Sequence, residues 1–176
     1  MEEPLQYRLR AAAPNDAAEI ARIHVETWRT AYTSILPAEF LERLSYDRSA
    51  QWWTSVLSAP PPRSRLWMLD SGETSIGFAF GSENRSRDLP FDGELQAIYI
   101  LSEHQGNGGG RLLFDAVRQS LRDAGLRSML LWVLENNPSR TFYERLGGIV
   151  SGRKPDTVGD TAVTLIAYGW RDDVIS

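Results

Sequence analysis

The sequence predicts a mixed α/β domain, and three observations carry that prediction. The chain has 176 residues, the length of one compact domain rather than two, so 1–176 is read as a single unit. Its apolar spacing is that of helices up to about residue 58 and that of strands from residue 65. At its centre a strand, a glycine-rich loop, a helix, a short apolar strand and a further helix follow one another, the alternation that layers helices on a sheet.

Taken in order, Tyr7 to Ala11 reads as a strand. A helix follows, capped by Asn15 or Asp16, with Ile20, Ile23, His24 and Thr27 along one face. Pro37 can open a second short helix, Ala38 to Leu44. Arg48 to Leu57 forms a third, with Trp52 and Trp53 as its apolar side. Leu66–Leu69, a turn at Ser71-Gly72 and Ser75–Phe80 make a β-hairpin. Ser58–Pro62 and Gly81–Pro90 read as surface loops. A strand over Gly93–Leu101 leads through glycines into an amphipathic helix, Gly109 to Ala124, carrying Leu112, Leu113, Ala116, Val117 and Leu121, with Gly125 ending it. Met129–Leu134 is a buried-type strand. Asn137 caps and Pro138 starts a helix that stops at Gly147-Gly148, and strands near 149–153 and 161–169 close the chain.

Composition excludes several classes of function. There is no cysteine, which removes disulfides, thiolate catalysis and cysteine-ligated metals. His24 and His104 are far apart and neither belongs to an H-E-x-x-H helix, so no metal is expected. Nineteen basic against twenty-three acidic residues give a net charge of −4, a poor footprint for nucleic acid. No stretch approaches the roughly 18 apolar residues of a membrane span. The start, Met1-Glu2-Glu3-Pro4, has acid where a secretory signal has base. The expected compartment is the cytoplasm.

The loop Gln105-Gly106-Asn107-Gly108-Gly109-Gly110-Arg111 lies between a strand and a helix. Glycines let the backbone approach an anion, and the helix N-terminus adds free N–H donors. A Rossmann loop starting at Gly106 would need glycine where Arg111 stands, and a Walker A loop would need lysine. On the glycines alone, a flexible loop and a phosphate cradle are equally good readings.

A longer pattern separates them. Leu95-x-x-Ile98-Tyr99-Ile100, then Gln105-x-x-Gly108-x-Gly110 and Leu112-Leu113, resembles the acetyl-CoA motif of the GCN5-related N-acetyltransferase (GNAT) superfamily. Asn136-x-x-Ser139-x-x-Phe142-Tyr143-x-x-x-Gly147 resembles that family's second motif. The two regions span 94–125 and 129–148. Ser139 stands where alanine is usual, and Gly148 where an aromatic is common.

The resemblance implies a twisted, mostly antiparallel mixed sheet with a splayed parallel pair at its centre and helices on both faces. It implies acetyl-CoA as co-substrate, its pantetheine arm pairing with the backbone of Ile98, Tyr99 and Ile100. The pyrophosphate would sit on N–H groups from Gln105 through Arg111, including Gly106, Asn107, Gly108, Gly109 and Gly110. Arg111 either adds charge there or is a solvated helix residue. Asn136 or Asn137 meets the pantetheine or caps the helix, Pro138 favouring Asn137 as the cap, and Ser139 lies at the helix–CoA contact.

Acetyl transfer needs a neutral amine, so a base must take a proton from an ordinary ammonium. Glu94, eleven residues before Gln105, matches the family's general base; otherwise it is a solvated acid. Strand alternation would put Glu94, Gln96, Ile98 and Ile100 on one face. Tyr143 matches the tyrosine that protonates the leaving thiolate; otherwise it is a core aromatic. The acceptor site would draw on Glu26 to Pro37 and on a loop over Arg153 to Asp160. Trp28 and Tyr32 share a helix face, as pocket lining or as core, and Glu26 with Glu94 would attract a cation. Trp52, Trp53 and Trp67 are read as packing residues. The expected function is acetylation of a small-molecule amine. A protein N-terminus or lysine as acceptor, or a CoA-binding sensor without turnover, are the alternatives. Homodimers are common in the family, so a homodimer is the expected assembly.

Overall fold

The computed structural model describes residues 7–172; the Met1-Glu2-Glu3-Pro4 start lies outside the described residues. One seven-stranded sheet organises them, in the order β1-β2-β3-β4-β5-β7-β6. Its strands are β1 (Tyr7–Ala11), β2 (Arg65–Ser71), β3 (Thr74–Glu83), β4 (Gly93–Ile100), β5 (Ser128–Leu134), β6 (Ile149–Val158) and β7 (Thr161–Arg171). Every neighbouring pair is antiparallel except β4 and β5. The helices are α1 (Ala17–Ala31), α2 (Ala38–Glu42), α3 (Tyr46–Ser58), α4 (Gly109–Asp123) and α5 (Arg140–Arg145). None is long and apolar enough to cross a membrane.

Two apolar layers hold helices on both faces of the sheet. On one face, Leu113, Val117 and Leu121 of α4 pack with Leu69, Leu95, Ile100 and Met129. On the other, Ile20 and Ile23 of α1 and Trp53 of α3 pack with Met68, Phe78 and Phe80. Trp53 is fully enclosed, edge-on to Phe78 and Phe80, and truncating a side chain so placed costs about 3–5 kcal/mol. A smaller cluster of Tyr32, Leu36, Leu41 and Leu134 joins α1 and α2 to the far half of the sheet.

Several local expectations change. Asp16 occupies the N-cap of α1, but its carboxylate turns back to the Ala13 N–H and the Arg10 guanidinium instead of capping forward. Trp52 is half exposed, so Trp53 alone anchors α3, while Trp67 packs as read. Leu112 also faces out; Leu113 is the buried member of that pair. The Asn137 carboxamide accepts the Ser139 N–H at 2.8 Å, so Pro138 lies in a turn and regular helix starts only at Arg140. Arg153 to Val158 is strand, not loop, because it pairs along β7 from Ile166 to Thr161.

Charge ties the β1 edge to the rest, beside the packing of Tyr7 and Leu9 on the core. Asp70, 1% exposed, accepts from Arg8, Arg10 (2.8 Å) and the Ser75 hydroxyl (2.7 Å), and Arg10 also reaches Asp16 at 2.7 Å. Burial works against the Asp70 carboxylate, yet Arg10, Ser75 and Arg8 outweigh it and hold its pKa below the usual value; the Arg10 bond does the same for Asp16. His24 goes the opposite way from a paired histidine, since burial lowers its pKa to about 4.

The signs set two acid phases. A group with a lowered folded pKa stabilises above its unfolded pKa and loses that contribution as pH falls through the folded value. Stability should therefore drop first between pH 6.5 and about 4 as His24 resists charging, then again below about pH 4 as Asp70 and Asp16 protonate. In His24→Gln the upper phase should vanish from urea melts taken across pH. Asp70→Ala should lose about 2–3 kcal/mol at neutral pH, through its charge-assisted bonds.

Candidate active site

The sheet opens at its centre. Strands β4 and β5 pair only at Gly93/Met129 and Glu94/Leu130, and then diverge. A bulge forces the parting: Leu95 faces Gly81 while Ala97 faces Phe80, leaving Gln96 as the extra residue. The Gln96 carboxamide secures the bulge by bonding the Ser82 hydroxyl. Beyond it, Ile98 and Ile100 pack with Leu95 on the α4 face, and Ala97 and Tyr99 turn to the α1 face. The β4 backbone edge beyond Glu94 has no ladder partner on β5, so its polar groups are available to an extended ligand.

Two cavities meet in the opening. The outer one, about 500 Å³, is a groove between the glycine loop and α5. Gly106 and Gly108 have φ of +80° and +85°, a region that side-chain-bearing residues reach only with strain. Gly108 is the N-cap of α4, and the first intrahelical bond runs from Leu112 N to its carbonyl. The N–H groups just before Leu112 therefore lack helical acceptors and are available to an anion. Gly109 is buried against Leu69, where a Cβ would stand 2.6 Å from Cδ2, so the helix start can sit this low only with glycine. The Gln105 amide donates to the Ile100 carbonyl at 2.8 Å and ties the loop to the strand end; the Asn107 side chain braces the Gln105 carbonyl. Arg111 and Arg145 line the groove, and among the described residues no acidic side chain does.

The inner cavity, about 400 Å³, lies between β4, β5 and α1. Its walls include Trp28, Tyr32, Tyr99 and Trp132, and Val158 and Leu165 of the last hairpin. Phe40 of α2 packs on Gly159 at the hairpin turn. The Trp28 indole donates to the Tyr99 hydroxyl at 3.0 Å, and the Asn137 amide to the Tyr32 hydroxyl at 3.2 Å. Ile98, Ile100, Gln105, Pro138, Ser139 and Tyr143 line both cavities. Tyr143 thus stands at the junction. Burial raises its phenol pKa above the ordinary value, with Tyr32 and Tyr99 adding to the effect; burial does the same to Tyr32 and Tyr99.

The structure gathers Ile98, Tyr99, Ile100, Gln105, Asn137, Ser139, Tyr143, Trp28 and Tyr32 at the inner cavity, and Gly106, Gly108, Gly110 and Arg111 at the groove. Asn107 and Gly109 belong to the loop without lining the groove, and three more predicted residues lie elsewhere. Glu94 lies in the closed end of the opening, and both its oxygens are taken by Arg85, which donates from its backbone N, Nε and Nη2 at 2.8–3.2 Å. The bulge at Gln96 breaks the alternation that would have placed Glu94 on one face with Ile98 and Ile100. Glu26 pairs with Arg22 at 3.2 Å and lines neither cavity. Asn136 is exposed and faces away, beside Glu135. Sequence reasoning missed Arg145, two residues past Tyr143 in the second motif, and Thr27 and Trp132. Thr27 was read only as part of a helix face, and Trp132 only as part of an apolar strand.

Residues 87–154 match the model of the FR47-like protein family. Uncharacterized N-acetyltransferase YuaI of Bacillus subtilis is 33% identical over 167 residues, 93% of this chain and 92% of that protein. The chain belongs to the GCN5-related N-acetyltransferase superfamily. Solved structures agree on the GNAT fold. The Salmonella typhimurium protein yncA, determined with its cofactor acetyl-CoA, has a TM-score of 0.70 at 19% identity, covering 97% of this chain and 96% of that one. The paia N-acetyltransferase of Thermoplasma acidophilum, in complex with coenzyme A, also has a TM-score of 0.70, at 18% identity over 94% and 99% of the two chains.

The Arg85 pairing predicts how Glu94 behaves. Glu94→Gln should lower folding stability by about 1–3 kcal/mol, because a buried charge-assisted pair is lost. It should leave the shape of the pH–rate profile unchanged. Loss of the acidic limb in that profile would put the carboxylate back in the reaction.

Proposed function

We propose that this chain transfers an acetyl group from acetyl-CoA to the amine of a small molecule, by direct attack within a ternary complex. The observation that carries this reading is the junction of the two cavities at Tyr143. The outer groove suits a diphosphate: it offers unbonded helix-start N–H groups, Arg111 and Arg145, and, among the described residues, no carboxylate. The unpaired β4 edge suits the amide-bearing pantetheine arm, which would run along Ile98 to Ile100 toward the inner cavity. The acceptor would approach from the opposite side, between Trp28, Tyr32 and Trp132.

In this arrangement the amine lone pair attacks the thioester carbonyl, the C–S bond breaks and the thiolate is protonated. A backbone N–H of the unpaired β4 edge would hold the carbonyl oxygen as charge develops. The Tyr143 phenol, kept protonated by burial, suits the role of donor to the departing sulfur. The chain has no cysteine, which favours direct transfer over a cysteine-bound acyl intermediate. The size of the inner cavity, about 400 Å³, suits a small acceptor.

Two substitutions separate binding from chemistry. Tyr143→Phe should cut kcat by about tenfold or more while acetyl-CoA affinity, read by calorimetry, stays within about twofold. Equal loss of affinity and rate would make Tyr143 a packing residue. Gly108→Val should weaken acetyl-CoA at least about tenfold, because the loop must leave its positive φ to relieve strain. Wild-type affinity in that variant would remove the loop from the proposal.

A further inference from the structure

The inner cavity has a property that the acetyltransferase reading does not by itself require. Among the described residues, none of the side chains lining it is Asp, Glu, His, Lys or Arg. Its ionisable groups are three phenols, all pushed upward by burial and so neutral. Charged and basic groups adjoin the lining residues without lining the cavity themselves, and the Glu103 carboxylate accepts from the Ser102 hydroxyl at 3.2 Å. His24 stacks on the outer side of Tyr99 with ring centroids 5.3 Å apart. Lys154 lies over the Trp132 ring at 4.2 Å and is paired with Asp88. Arg22 and Glu26 neutralise one another on α1, and Arg85 consumes Glu94 at the closed end.

A second observation is independent of charge. The Thr27 hydroxyl and the Trp132 indole N–H are both buried without a hydrogen-bond partner, and both residues line this cavity. Thr27 is 6% exposed. Leaving such groups unpaired costs about 1–3 kcal/mol each; both atoms are closed to solvent, so a ligand with a matching donor and acceptor recovers that cost where a small shift of the surrounding side chains opens them.

Resting on the acetyl-transfer reading above, we infer that the acceptor is an aromatic amine of low basicity, held as its free base between Trp28, Tyr32 and Tyr99, with its polar groups on Thr27 and Trp132. The proton balance supports this. A neutral amine that attacks the thioester forms a C–N bond, breaks the C–S bond and passes one N–H proton to the leaving sulfur; nothing else is needed. An alkylammonium must first give a proton to a base, and the lining holds none. The aromatic faces would attract an ammonium, but it would reach the thioester in its unreactive form. Anilines are far weaker bases than alkylamines and are free base at neutral pH. Their flat rings also suit a cavity of about 400 Å³ walled by aromatics.

The test compares 4-methoxyaniline with 4-methoxybenzylamine, which share a ring and differ in basicity, by thiol release from acetyl-CoA. At about pH 7 the aniline should have the higher kcat/KM by at least about tenfold, and its rate should be flat up to about pH 9, where the benzylamine rate climbs as free amine appears. Thr27→Val should raise KM for the aniline severalfold and leave acetyl-CoA affinity unchanged. Equal or faster turnover of the benzylamine at neutral pH, or an aniline KM indifferent to Thr27→Val, overturns the inference while leaving acetyl transfer standing. Failure of the wild type to bind acetyl-CoA in calorimetry instead overturns the acetyl-transfer reading, and this inference with it.

Discussion

Everything at the site depends on two strands that begin as a parallel pair and stop pairing after two residues. A continuous β4–β5 ladder would satisfy its backbone within the sheet and leave no opening. The bulge at Gln96 twists β4 away at the cost of unpaired N–H and C=O groups. Those groups are tolerable only because a cavity, and in the proposed complex an amide-bearing ligand, faces them. The rest of the sheet compensates. β5 is fully paired with β7 on its other side, and β4 with β3, so the opening is a gap in an otherwise closed network rather than a frayed edge. The α4 helix bridges beneath it, with Leu113 and Val117 contributing to a core that takes in residues of both strands.

Much of this was legible in the sequence wherever the cause is local. Gly106 and Gly108 need positive φ, Gly109 must sit against Leu69, and Gly125 ends α4 with φ of +84°. Each requirement leaves glycine in the chain at a recognisable spacing, and the two GNAT motifs are built from such positions. Element boundaries were close for the same reason, as with β1 and α4. Misreadings came from causes that involve distant residues. Strand alternation assigned Glu94 to the face of Ile98, but one extra residue at Gln96 reverses the parity, and a bulge depends on the partner strand. Arg85 claims Glu94 from a loop that carries no pattern. Trp52 and Trp53 have equal helical credentials; only the position of Phe78 and Phe80 decides which one is buried. Thr27 and Trp132 gave no signal because an unpaired polar atom is a property of a packed environment, not of a sequence.

The two cavities divide the electrostatic work. The groove concentrates positive potential from a helix start and two guanidinium groups where an anion would lie in water-accessible surroundings. Among the described residues, none that carries a charge lines the inner cavity, which is rich in hydrogen-bonding hydroxyls. Placing a carboxylate there would add a desolvation penalty of several kcal/mol unless it were paired, and a pairing cation would occupy the acceptor's space. The structure instead keeps its carboxylates in pairs at the periphery: Glu94 with Arg85, Glu26 with Arg22, Asp70 with Arg8 and Arg10.

The phenols are what a neutral cavity has left to work with, and their surroundings differ in a useful way. Tyr99 is fixed by Trp28 and backed by His24; Tyr32 is fixed by Asn137, whose other amide atom holds the turn before α5. These two are structural pillars as well as walls. Tyr143 shares their burial, and it alone of the three lines both cavities. Burial makes all three poor proton acceptors at neutral pH and leaves them as donors. A donor suits the departing sulfur and does nothing for an incoming ammonium. In the proposed transfer, an acceptor that arrives neutral asks no base of this lining, so the aromatic walls and the neutral phenols favour the same kind of amine.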